Sequence, residues 1–180
     1  MPAYAALLRG VNVGRAKRVP MAAWRAQLQA LGCTDVQTLL NSGNAVFRSS
    51  ARAPAALAAR IREALLQGLQ VDAPVLVKPA REIAAVITGN PLSDVADDPA
   101  RLLLAFAPDA AGLAALAPLA AVAQAPERFV LGPHAAYLWC ANGILQSAAA
   151  DALLGRAGRA VTTRNWATLG KIHAALAALG

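Results

Sequence analysis

At 180 residues, 57% of them hydrophobic and 15% charged, the chain has the length of one large domain or two small ones and ample material for a core. Two cysteines, Cys33 and Cys140, show no metal-ligand spacing and read as small buried hydrophobes. The net charge of +7 is uneven: residues 1–70 hold nine Lys/Arg against two acids, and residues 71–180 hold eight of each. The excess suggests an acidic partner for the first part, such as nucleic acid, a phosphorylated metabolite or an anionic surface. A merely solvated basic face is the alternative.

Taken in chain order, Ala3–Leu8 is an apolar run that predicts a strand. It empties into a polar loop, Arg9–Arg18, carrying Asn12, Arg15, Lys17 and Arg18, with Gly10 and Gly14 suited to tight connections. Pro20 opens a helix that sets Met21, Trp24, Leu28 and Leu31 on one face and stops at Gly32. Strands follow at Asp35–Leu40 and Asn44–Arg48, joined through Ser42-Gly43 as a hairpin. A helix over about Pro54–Gln67 aligns Leu57, Ile61 and Leu65, with Gly68 behind it. A strand at Val71–Val77 contains Pro74, which demotes it to an edge. Ala80–Thr88 reads as helix and Asn90–Pro99 as linker.

The second half repeats this order more faintly. It reads as a strand at Arg101–Ala107, a helix at Ala110–Leu119 ending near Pro118, and a hairpin of Arg128–Leu131 with Ala136–Cys140. A helix at Gln146–Leu154, a strand at Arg159–Thr162 and a final helix at Arg164–Leu179 follow. Two βαββαβ runs predict an α+β protein of two tandem ferredoxin-like units plus a C-terminal helix. The boundaries are 1–78 for the first unit, 79–99 for a helix and linker, and 100–180 for the second unit with its helix. Right-handed crossovers give strand order 4-1-3-2 in each unit. Strands one and two are then parallel, so the end of strand one and the strand two–three turn share one rim.

That rim gathers the candidate ligand residues Arg9, Gly10, Asn12 and Lys17 with Asn41, Ser42, Gly43 and Asn44. A strand that ends in a basic loop ahead of a helix N-terminus is a natural anion site. Asn-Ser-Gly-Asn is equally ordinary turn chemistry. Arg9, directly after Ala-Ala-Leu-Leu, must find a partner or reach solvent, and that partner is either a ligand or the hairpin's own carbonyls. A third group, Thr162–Trp166, places Thr163 to cap the last helix and Trp166 as a mostly buried anchor. Arg164, Asn165 and Lys171 are expected to be at least partly exposed there, as interface or ligand residues.

LLRGVNVG with RVPMAAWRAQLQALG, then NSGNAVF (Asn41–Phe47), then TTRNWATLGK (Thr162–Lys171), resemble the bacterial domain-of-unknown-function 1697 family, in that family's order and spacing. The resemblance runs from Tyr4 to the last helix. It implies two similar α+β halves and a recurring set of polar residues, and it implies no activity.

There is no P-loop, G-x-G-x-x-G, H-E-x-x-H or Cys-x-x-Cys, so no cofactor and no metal are implied. His134 and His173 lack a partner acid or nucleophile in sequence. Arg, Lys, Asn, Ser and backbone amides bind anions but supply no general base at neutral pH. Apolar runs without charge, 110–126 and 129–150, are interrupted by Gly, Pro or Asn, and neither reads as a membrane span. With no signal peptide evident, a cytoplasmic protein without a membrane partner is the expectation. Three readings stay open: a nucleic-acid or nucleotide-phosphate binding protein, an enzyme acting on a small phosphorylated or carboxylated substrate, or polar motifs that are structural with function elsewhere.

Overall fold

The computed structural model describes residues 1–15 and 17–180. The chain is α+β and divides into two compact units, Met1–Glu82 with Lys171–Gly180, and Ile83–Gly170. The first unit builds one four-stranded antiparallel sheet, the second another.

In the first unit, β1 (Ala3–Leu8) leads through the basic loop to α1 (Met21–Ala30), then β2 (Thr34–Leu39), β3 (Asn44–Arg48), α2 (Pro54–Leu69) and β4 (Val75–Pro79). The sheet order is β2-β3-β1-β4, with β1 antiparallel to both its neighbours. The order is the one that right-handed crossovers require. Trp24 and Leu28 of α1 and Leu57, Ile61 and Leu65 of α2 are buried at helical spacing. They share one cluster with Tyr4, Ala6, Leu8, Ala45 and Phe47 of the sheet. Every residue from Tyr4 to Leu8 is buried, so both faces of β1 are covered.

Several boundaries differ from the sequence reading, each for a local reason. Leu40 is not in β2: it adopts a left-handed φ of 58° and starts the turn. Asp35 has φ 53°, and the register shifts between Thr34 and Gln37, a bulge in this edge strand. Helix α2 runs through Gly68 and is closed by Gln70 in the left-handed region. Pro74 lies before β4 rather than inside it. Having no N–H, it precedes the ladder, and its carbonyl accepts from the Arg9 N–H at 3.0 Å. The expected edge position of β4 stands.

After β4 in the chain comes α3 (Ala80–Thr88). The second unit has β5 (Leu102–Phe106), α4 (Ala110–Ala114), α5 (Leu119–Val122), β6 (Arg128–Leu131), β7 (Ala136–Trp139), α6 (Ala148–Leu154) and β8 (Thr162–Asn165). Its sheet order is β6-β7-β5-β8. The single helix expected over 110–119 is two short ones, because Pro118 cannot continue α4 and instead opens α5. The helix expected from Gln146 is a 3₁₀ turn at Ile144–Gln146 followed by α6, which the Ser147 hydroxyl caps. The last strand is Thr162–Asn165, not 159–162, and α7 is Trp166–Leu179. No helix among the described residues is long and apolar enough to cross a membrane.

Candidate functional site

In the first unit, topology brings the end of β1, the β2–β3 turn and the start of β4 to one rim. Leu7 pairs with Asn44 and Leu8 with Val75. The Leu8 N–H donates to Gly43 O at 2.8 Å. The Arg9–Arg18 loop is fastened to this rim by Asn12. Its Nδ2 donates to Asn41 O at 2.7 Å and to Val19 O at 2.9 Å, while its Oδ1 accepts from the Val19 N–H at 2.9 Å. The Asn12 amide thus pairs with both backbone groups of Val19 and uses its remaining donor on the hairpin. Its own φ of 56° is one that asparagine tolerates. The loop is closed again by Asn12 N–H to Lys17 O at 3.1 Å.

The turn is built just as tightly. Asn44 is buried, and its Nδ2 donates to Leu39 O at 3.0 Å and to Ser42 Oγ at 2.9 Å. Gly43 has φ 84°, and a Cβ there would lie 2.7 Å from Leu8 Cβ and 2.8 Å from Val11 Cγ2. Only glycine fits where the turn crosses the end of β1. Asn41 and Ser42 are exposed at the tip. Of the expected rim residues, Asn12, Gly43 and Asn44 are therefore structural fasteners. Arg9 is half-buried, while Gly10 and Lys17 are exposed.

The exposed cations of the loop are Arg15, Lys17 and Arg18. Beside them stands an ion pair, Arg62 Nε to Asp72 Oδ1 at 2.6 Å. The Arg62 hydrogen bond holds the Asp72 carboxyl below its usual range, and the charge of Lys17 adds to the effect. Lys17 thus lies close to Asp72, and the acid is matched by two bases. Next to the loop, α1 begins at Pro20 with no side-chain cap and no acid in its first turn. Its first N–H groups keep their partial positive charge. The first unit as a whole holds twelve Lys/Arg against four acids, a net of +8, and the second holds five against six, a net of −1.

The third group falls elsewhere. Arg164 and Asn165 belong to the second unit, and Lys171 counts with the first. Asn165, not Thr163, caps α7: its Oδ1 accepts from the Thr168 N–H at 2.9 Å. Thr163 is a strand residue opposite Ala105. Arg164 Nη1 donates to Thr163 O at 2.8 Å, and burial of the guanidinium pulls its pKa down to about 10. Trp166 is mostly but not fully buried, as expected of an anchor at the point where β8 turns into α7. Lys171 is exposed. Cys33 and Cys140 are free and buried, and burial pushes the Cys140 thiol up to about 11. Among the described residues no His/Cys/Asp/Glu group could hold a metal ion.

A family model described as DUF1697, protein of unknown function, matches residues 1–137. The chain belongs to that family. The matched span takes in the whole rim and ends before the Thr162–Lys171 motif. The structure of a conserved bacterial protein, SP0830 from Streptococcus pneumoniae, superposes on this DUF1697 chain with a TM-score of 0.79. The two share 24% identity over 97% of this chain and 98% of the other, a likeness of fold. No curated protein matches the chain.

Sequence reasoning missed the Arg62–Asp72 pair beside Lys17. Its signal was available, because β4 runs antiparallel to β1 and so must start where β1 ends. The uncapped start of α1 was also legible, as Pro20 can offer no side-chain acceptor.

Proposed function

We propose that this DUF1697 protein binds a phosphate-bearing polyanion, nucleic acid or nucleotide, at the Arg9–Arg18 rim of its first unit. The observation that carries the reading is one juxtaposition: three exposed cations stand on a loop that Asn12 pins to the hairpin. Fixing a cationic loop lowers the conformational entropy lost when phosphates bind. The uncapped N-terminus of α1 adds backbone N–H groups of the right polarity. The concentration of net charge in this unit steers an anion toward it. Arg9, Gly10, Lys17, Asn41 and Ser42 then form the ligand-facing part, with Asn12, Gly43 and Asn44 holding it in shape. Arg164 and Asn165, in the second unit, and Lys171 stay ligand candidates of this reading.

The same reading takes each half as a ferredoxin-like βαββαβ unit. The two sheet orders, β2-β3-β1-β4 and β6-β7-β5-β8, support it. A purely structural role for the polar motifs is the second reading. The spent amides of Asn12 and Asn44 and the cap from Asn165 favour it.

Retention of the full chain on a phosphocellulose column separates the two. Wild type should elute late in a salt gradient, and the triple variant Arg15→Ala/Lys17→Ala/Arg18→Ala markedly earlier. Co-elution of the two, with circular dichroism showing both folded, removes the rim from the account.

A further inference from the structure

The geometry points to duplex nucleic acid, gripped through its phosphates without reading bases, as the polyanion this rim takes. The inference rests on the phosphate-binding reading above and narrows it. Proteins that hold single strands on α+β sheets do so by stacking unpaired bases on exposed aromatic side chains. The first unit has none to offer. Its aromatic residues are Tyr4, Trp24 and Phe47, and all three are buried, at 4%, 0% and 0% exposure. The two central strands offer no stacking surface either, since Tyr4 to Leu8 of β1 and Ala45 to Phe47 of β3 are buried. The two partly buried aromatics, Phe129 and Trp166, lie in the second unit, which carries no excess positive charge.

Two of the rim's three asparagines cannot read a base edge either. Bidentate recognition of a base by asparagine needs a free amide. The donors of Asn12 and Asn44 are spent on Val19, Asn41, Leu39 and Ser42 Oγ. The charge that faces solvent there is Arg15, Lys17 and Arg18, with Asn41 and Ser42 exposed at the tip of the turn. A fixed set of cations is best matched by the polymer with the densest regular array of phosphates. Duplex presents about one charge per 1.7 Å of axis and releases more counterion per contact than a single strand. Phosphate contacts alone fix position and carry no sequence information.

The experiment is a competition titration at low salt. Full-length protein is bound to a fluorescein-labelled 20-base-pair DNA duplex of mixed sequence, followed by anisotropy. Each separated strand, a scrambled duplex and sodium tripolyphosphate serve as competitors. The expected result is that the scrambled duplex competes as well as unlabelled probe, and each strand several-fold less well. Arg15→Lys/Arg18→Lys should keep the affinity, because a lysine serves phosphate as a point charge, and the triple alanine variant should lose it. A single strand that competes as well as duplex, or better, overturns the inference while the phosphate reading stands. Sequence-dependent competition between duplexes overturns it as well. Absence of binding to duplex and strands alike, with tripolyphosphate raising the melting temperature, assigns the rim to a small phosphorylated ligand and overturns the duplex claim. Absence of both effects overturns the phosphate reading itself.

Discussion

Asn12 shows how one side chain decides the shape of the rim. Its amide satisfies Val19 twice and Asn41 once, so removing it leaves backbone groups without partners. Asn12→Ala should cost about 1–3 kcal/mol in urea unfolding. Asn12→Asp should be no milder, because the new carboxylate oxygen faces the Val19 and Asn41 carbonyls that Nδ2 now serves. Gly43 and Gly10 form a second test. Both have positive φ, but a Cβ at Gly43 meets Leu8 and Val11, whereas at Gly10 it meets nothing within 4 Å. Gly10→Ala should cost about 1–2 kcal/mol, the price of the left-handed backbone alone. Gly43→Ala should cost about 2–4 kcal/mol, since overpacking adds to it. Equal losses at the two sites would contradict the close crossing of turn and β1. Cys140 predicts a pH effect. Burial raises its thiol from 9.0 to about 11, so above pH 9 the unfolded chain loses a proton that the folded chain keeps. Stability is fully present below pH 9 and falls as pH rises toward 11. Denaturation at pH 8 and pH 10.5 should show a smaller alkaline loss in Cys140→Ala than in wild type.

At the scale of elements, apolar periodicity and strong punctuation were the legible part. Strands Ala3–Leu8, Asn44–Arg48 and Arg128–Leu131 and helix Ala80–Thr88 stand where the sequence put them. The crossover rule then gave the strand order, and with it the meeting of Arg9–Asn12 and Asn41–Asn44. Illegible were choices that local chemistry leaves balanced. Leu40 carries no mark of a left-handed residue, yet the hairpin needs one there. Thr162–Asn165 holds three residues that can cap a helix, Thr162, Thr163 and Asn165. Pairing of Thr162 with Phe106 and Thr163 with Ala105 makes the first two strand and leaves the cap to Asn165. Asn165→Ala should therefore lower stability by about 1 kcal/mol, with Asn165→Asp close to neutral. Trp166→Ala should cost less than the about 3–5 kcal/mol of a fully buried tryptophan, because the residue keeps some exposure. Arg48 ties three segments of the first unit. It donates to Met1 O at 2.7 Å, to Leu179 O and to Gly180 O at 2.8 Å, and pairs with Asp35 at 3.5 Å.

For the molecule as a whole, the division of charge is the feature that most constrains function. The first unit carries +8 and the second −1, so a polyanion is drawn to one half. Sequence alone located the excess in residues 1–70 but not the part of it that is presentable. Arg48 and Arg62 are engaged with Asp35 and Asp72, whereas Arg15 and Arg18 stand exposed on a pinned loop. The central claim is that this loop neutralises phosphates, and the salt dependence of binding measures that directly. For a 20-base-pair duplex, log K plotted against log salt concentration should be linear, with a steep negative slope. Replacing Arg15, Lys17 and Arg18 together by alanine should make that slope shallower by up to about 2.7, the loss of three phosphate contacts at about 0.9 each. An identical slope in wild type and triple variant would contradict the account.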